Sequence, residues 1–299
     1  SEKDSGGKLG GGDFDRDGDP DLVISGVAKQ NGQPLTQIYI NQVGLFIPLE
    51  VQGLPNVWGG VVKWVDLNGD GYEDLFISGA TSLTQPYHLV ADVWINNTGQ
   101  SMTPAEAGIS PFMFGDAAFA DIDSDGDQDL AITGDFGNGR FGAAILNNQN
   151  VGSGGVFTPT GTGLPDVMGG SVNWGDVNGD GKPDLMLTGG ELGPDMLRGI
   201  SIMLVNQGGT FLAHPFPFDG VVTGTAIWGD YENDGDEDVF IVGARSPLGE
   251  TVGRLYRNVE GQFVAELDVK GFVHAAAAFG DYNGDGDLDS AAWLTLTRT

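Results

Sequence analysis

Short runs in which apolar residues alternate with polar or small ones fill this chain, and no segment keeps the spacing of an amphipathic helix. The stretch from 171 to 216 shows the order of events. "SVNWGD" (171–176) alternates, an acidic loop follows, and "DLMLTGG" (184–190) is a second strand-like run. A loop of variable length leads to "ISIMLVNQGG" (200–209), a third strand running into a turn, and "TFLAHPF" (210–216) is a fourth. Four short strands joined by turns predict one antiparallel sheet.

The same order recurs along the chain. Six loops open on Asp13, Asp66, Asp121, Asp176, Asp230 and Asp281, with successive spacings of 53, 55, 55, 54 and 51 residues. So regular a period is the signature of a repeat architecture. The expectation is an all-β fold: a β-propeller with four-stranded antiparallel blades in six repeats. Two residues before the first Asp stand Trp64, Phe119, Trp174, Trp228 and Phe279, an aromatic stripe expected to fill the wedge between blades. The third strand is expected to end at Asn41, Asn96, Asn147, Asn206 and Asn258, at turn positions that tolerate left-handed backbone.

Five blades are complete in sequence and the sixth is half present, because "LDSAAWLTLT" (288–297) is the one strand after the last loop. The expectation is a single propeller domain over residues 1–299 with a linker-like stretch at 1–10, its open edge continued by further domains or covered by a partner.

Charge changes the picture of partners. The 299 residues carry 13 Lys+Arg against 42 Asp+Glu, a formal net charge of −29. Nucleic acid and anionic membranes need clustered cations, so both are excluded as expected partners. No apolar run is long enough to insert in a membrane as a helix. Cysteine is absent, which removes disulfides, thiolate nucleophiles and zinc–thiolate sites.

The acids concentrate in the repeated loop, D-x-[DNE]-x-D-G-x-x-D. Position 1 is Asp13, Asp66, Asp121, Asp176, Asp230 and Asp281, and position 3 is Asp15, Asn68, Asp123, Asn178, Glu232 and Asn283. Asp17, Asp70, Asp125, Asp180, Asp234 and Asp285 follow at position 5, and Asp21, Asp74, Asp129, Asp184, Asp238 and Asp289 at position 9. The position 7 residues Asp19, Tyr72, Asp127, Lys182, Asp236 and Asp287 complete the candidate set. Carboxylates this close repel one another unless a cation neutralises them, and an all-oxygen, flexible loop suits calcium. Glycine at position 6 allows the sharp turn. An EF-hand closes with Glu at position 12 between helices. Here position 12 is Ile24, Ile77, Ile132, Leu187, Ile241 and Ala292, within strand-like runs.

On these loops the chain resembles the FG-GAP or VCBS-type repeats of integrin α-subunit propellers, calcium-containing lectin propellers and many secreted bacterial proteins. The resemblance runs from about Gly11 to Leu296. It implies a propeller with calcium, up to six ions, in the loop between the first and second strands of each blade, in an extracellular or periplasmic setting. It does not imply one function. The ligand side chains at positions 1, 3, 5 and 9 hold 4, 3, 4, 3, 4 and 3 carboxylates, which is 21 of the 42 acids, and six divalent ions would bring −29 to −17.

Other motifs carry less. "GNGRFG" (137–142) matches a dinucleotide fingerprint but is followed by the strand-like "AAILNN" (143–148) instead of a helix. His88, His214 and His274 are scattered, and there is no G-x-S-x-G elbow.

In an up-and-down blade the acidic loops and the third-to-fourth turns share one face, and the long variable loops crown the other. Ligands concentrate on such loops. The candidates there are the aromatic Trp58, Tyr87, Phe112 and Phe136 and the rare cations Arg140, Arg198 and Arg245. The expected function is a non-catalytic binding or adhesion module for an extracellular protein or glycan. A lectin-like propeller is the alternative reading, and a calcium-dependent polysaccharide-active enzyme the third.

Overall fold

A computed structural model of the chain describes residues 7–149, 155–193, 197–247, 249–273, 275–281 and 288–294, without the side chains of 289–294. Its described residues form five four-stranded antiparallel sheets and one two-stranded sheet, with each sheet's strands in sequence order. Blade 1 comprises β1 (Lys8–Gly12), β2 (Asp21–Val27), β3 (Pro34–Gln42) and β4 (Leu45–Leu49). Blade 2 holds β5 (Trp58–Val65), β6 (Asp74–Ala80), β7 (Leu89–Asn96) and β8 (Met102–Ala105). Blade 3 holds β9 (Met113–Ala120), β10 (Asp129–Asp135), β11 (Phe141–Asn148) and β12 (Phe157–Pro159).

Blade 4 holds β13 (Val167–Gly175), β14 (Asp184–Leu192), β15 (Leu197–Asn206) and β16 (Phe211–Ala213). Blade 5 holds β17 (Thr223–Gly229), β18 (Asp238–Ala244), β19 (Thr251–Val259) and β20 (Gln262–Val269). The two-stranded sheet pairs β21 (Ala275–Gly280) with β22 (Asp289–Leu294).

The second strand of each blade is the most buried. "DLFISGA" of β6 and "DVFIVGA" of β18 are buried at every residue, because both faces of a blade pack against neighbours. One apolar cluster fills each gap between consecutive blades. Phe76, Val93, Phe112 and Leu130 lie between blades 2 and 3, and Met186, Met203, Val239 and Tyr256 between blades 4 and 5. The aromatic stripe falls where the repeat predicts. Phe119 packs edge-on against Phe76 at 5.5 Å, and the Trp174 and Trp228 indoles donate to Ala118 O and Asn173 O of the preceding blade.

Six residues before the first Asp, the entering strand crosses close over the second strand of its own blade. A Cβ at Gly60, Gly115 or Gly170 would lie 1.6–1.8 Å from the carbonyl oxygen of Ser78, Thr133 or Thr188. No side chain fits there. The ladder slips next to these glycines, between Trp58 and Val61, Thr133 and Asp135, and Met168 and Ser171. These bulges aim the start of the first strand at the long-loop face.

Two details of the Asn positions differ from the sequence reading. In blade 3 the residue in register is Asn148 and not Asn147. Asn148 N donates to Asp129 Oδ1, as Asn41, Asn96, Asn206 and Asn258 do to the position 9 Asp of their own blades. Asn147 is half-buried and donates to Asp123. None of these residues has left-handed backbone; Val43, Thr98, Gly208 and Glu260, two residues on, carry the positive φ. The Asn earns its place through its side chain, whose Oδ1 caps Gly44, Gly99, Gly209 and Gly261 N–H in the turn.

Candidate metal centres and the opposite loop face

Each acidic loop is built by its own carboxylates folding back on its backbone. Position 1 accepts from the position 6 glycine: Gly18, Gly71, Gly126, Gly181 and Gly235 donate to Asp13, Asp66, Asp121, Asp176 and Asp230 at 2.7–3.1 Å. Position 5 accepts from the position 7 amide, as Tyr72 and Lys182 donate to Asp70 and Asp180. Two residues of each of the five described loops are left-handed. Position 6 is always glycine, whereas position 4 is Arg16, Gly69, Ser124, Gly179 or Asn233, with φ of 56–70°. The mixed residue types hide this second requirement in the sequence.

Position 9 anchors the loop to the blade. Asp21, Asp74, Asp129, Asp184 and Asp238 are fully buried, and each accepts one amide from position 2 and one from the third-strand Asn, at 2.7–3.0 Å. Burial still outweighs these bonds. It pushes the carboxyls of Asp74, Asp129 and Asp184 up to about 6, with neighbouring loop carboxylates adding to the rise. The loops therefore hold carboxyls whose charge the protein alone under-compensates.

The oxygens converge most in loops 1 and 3. Asp13, Asp15 and Asp17 offer oxygens all within 4.8 Å of one another, as do Asp121, Asp123 and Asp129. Asp13 Oδ1, Asp15 Oδ1 and Asp127 Oδ1 are buried without a hydrogen-bond partner. Such orphaned oxygens in an all-oxygen cage match the demands of a hard divalent cation. The residues present therefore fit calcium.

Loops 2 and 4 carry internal compensation, whereas loop 5 holds Glu232, whose two buried oxygens have no hydrogen-bond partner. In loop 4 Lys182 Nζ lies 2.9 Å from Asp180 Oδ2 and holds that carboxyl below its ordinary range. In loop 5 Glu232 is pushed up to about 7 by burial and by Asp238 beside it, and Arg257 Nε approaches it at 3.5 Å. Loop 2 has Asn68 donating to Asp70.

Position 7 is not uniform. Asp19 and Asp236 accept from Val43 N and Glu260 N in the adjoining turn, Tyr72 lies under the Arg16 guanidinium at 5.1 Å, and Asp127 alone among the described position 7 residues is buried. Asn283, Asp285 and Asp287 lie outside the described residues, as does the Asp289 side chain; Asp281 directly follows β21.

Neighbouring loops are tied together. Asn96, Asn206 and Asn258 Nδ2 donate to Phe14 O, Ile122 O and Val177 O, each at position 2 of the preceding blade's loop. Glu73 and Glu237 accept from Asp13 N and Asp176 N, the first residues of the preceding loops. Nothing in a single repeat announces these links, since both partners come from different blades.

On the opposite face, Trp58 and Tyr87 come together, with Phe114 as a third ring that sequence reading missed. Phe112 does not belong there. It is 0% exposed in the core between blades 2 and 3, with its backbone amide and carbonyl bonded to Ser78 Oγ, so its ring cannot meet a ligand. Phe136 packs against Phe112, and the Arg140 guanidinium lies 6.0 Å over its ring. Arg140 opens onto a cleft of about 430 Å³ between blades 3 and 4 that Asp166 and Glu191 also line. Arg198 is paired with Glu191, and Arg245 with Asp219 at 2.5 Å.

Repeated four-stranded blades with an acidic loop after each first strand define a β-propeller of the acidic-loop class. The chain belongs to the FG-GAP-like repeat family, whose profile matches residues 13–77, 121–187 and 230–292. Each match runs from the first Asp of one loop to position 12 of the next, so all six loops fall within the matches. No curated protein matches the chain.

Proposed function

We propose that this chain is a calcium-stabilised binding or adhesion module that works outside the cytoplasm and without catalysis. The carrying observation is the convergence of carboxylate oxygens in loops 1 and 3 around buried oxygens with no protein partner. Positions 1, 3, 5 and 9 would hold the ion through side chains. At position 7 Tyr72 and Lys182 can offer only the backbone carbonyl, because neither side chain is an anionic oxygen. When bound, the cation supplies the positive charge that the clustered carboxylates lack. FG-GAP repeats typically belong to extracellular proteins, where calcium is plentiful enough for such sites.

The non-catalytic reading rests on where the shifted groups lie. The carboxyls pushed up to about 6 are locked to backbone amides beneath the acidic loops, and two of the three candidate arginines are ion-paired. Equilibrium dialysis of chelator-stripped protein against calcium tests the reading. It should show at least two ions per chain, with Asp13→Ala and Asp121→Ala each removing one. A folded chain that takes up no calcium at millimolar concentration would overturn it.

A further inference from the structure

The geometry points to a binding site for a neutral glycan on the face opposite the acidic loops, built on Trp58, Tyr87 and Phe114; it rests on the binding-module reading above. Trp58, at the start of β5, is the centre. Tyr87 in the β6–β7 loop stands edge-on to it at 5.7 Å, and Phe114 of β9 edge-on at 5.6 Å. The Trp58 indole is fixed by its bond from Nε1 to Ser82 O. Three rings from two blades thus form one rigid surface.

Phe114 is the informative residue. Its backbone is left-handed, with φ of 52°, and its side chain is 43% exposed. At the equivalent position blades 2 and 4 place Gly59 and Gly169, both with φ of 63°. Glycine takes this conformation freely, whereas a bulky residue is strained there. A Cβ at Gly59 would lie 2.8 Å from Phe114 Cε1, so blade 2 keeps the space that the ring needs. A strained, exposed aromatic ring does nothing for the core. Strain of this kind collects at ligand-binding positions.

The chemistry of the patch selects the ligand class. The segments that meet here, 51–62, 79–91 and 107–115, contain no Asp, Glu, Lys or Arg, in a chain with 42 acids among 299 residues. A charged ligand would find no carboxylate, ammonium or guanidinium within these segments. The β6–β7 loop that carries Tyr87 also carries neutral hydrogen-bonding groups: the Tyr87 hydroxyl itself, with no partner among the described residues, and the exposed Thr84 and Gln85. Apolar ring faces beside neutral donors and acceptors suit a pyranose, which presents C–H bonds on one face and hydroxyls at its edge. A stable protein interface needs roughly 800 Å² on each partner, far more than three rings supply.

The test uses the full chain in millimolar calcium, titrated with tetra- to hexasaccharides of glucose, N-acetylglucosamine and mannose and read by tryptophan fluorescence. At least one neutral series should bind. Phe114→Gly and Tyr87→Ala should each weaken it tenfold or more, while Arg198→Ala leaves it unchanged. Phe114→Gly relieves the strained backbone, so it should melt within a few degrees of the native chain and keep the result readable. The inference is overturned if no neutral series binds, if only uronic acid oligosaccharides or an immobilised protein bind, or if Phe114→Gly binds as the native chain does. Calcium uptake measured on the same sample separates this failure from that of the binding-module reading.

Discussion

Two kinds of glycine do different work here, and they should fail differently. Gly115 is required by space, since an added Cβ would lie 1.6 Å from Thr133 O. Gly126 has open space around it but a φ of 95°, so only its conformation is at stake. Gly126→Ala should cost roughly 1–2 kcal/mol, the penalty of a left-handed L-residue. Gly115→Ala forces the strand crossing apart and should cost about 3 kcal/mol or more. Urea unfolding of both variants in excess calcium checks the order. The position 6 glycines were legible as a column in the repeat, whereas position 4 was not, because Arg16 and Ser124 adopt the same backbone without the glycine signal.

Titration of the position 9 carboxyls follows from the same burial. Asp74, Asp129 and Asp184 sit near 6 in the metal-free fold against an ordinary value of 3.8, so the fold binds more protons than the unfolded chain between those values. Stability of the metal-free protein should therefore fall as pH rises from about 4 through 6, and level off above. Calcium should abolish that fall by favouring the ionised form. Melting temperatures at pH 4.5 and 7.5, with chelator and with calcium, read the sign directly. A metal-free protein more stable at the higher pH would contradict it.

At the scale of the element, the third-strand Asn is the joint between blades. Asn96 donates to Phe14 O of the preceding loop and to Glu73 O, and its Oδ1 caps Gly99 N–H. Asn96→Ala leaves buried backbone groups unpaired and should cost about 1–3 kcal/mol. Asn147→Ala removes only an exposed contact to Asp123 and should cost under about 0.5 kcal/mol. Comparable losses for the two would mean that the register of blade 3 is misassigned.

Strand order, the aromatic stripe and the acidic loops were all readable from period and alternation, because each is written within one repeat. Asn147 and Asn148 are adjacent and chemically alike, so the count alone slipped by one. The inter-blade bonds of Glu73 and Glu237 were invisible for a different reason: their partners lie 60 and 61 residues away in another repeat. Phe112 and Phe114 show the same limit on the long-loop face. Two residues apart in sequence, one is core and the other exposed, and the strand bulge that separates them leaves no mark in the alternation.

At the scale of the whole molecule, the net charge of −29 and the acidic loops are one problem. Half-compensated carboxylates are gathered on one face and linked blade to blade, so neutralising them should stabilise the whole chain and not single loops. One site at 100 times its dissociation constant contributes about 2.7 kcal/mol, and several sites add. The direct measurement is thermal unfolding of the full chain in excess chelator and in millimolar calcium at pH 7.5. A rise of more than about 5 °C on adding calcium is the predicted result, since 1 kcal/mol moves a domain of 150–250 residues by roughly 2–4 °C. Superimposable curves would contradict the account.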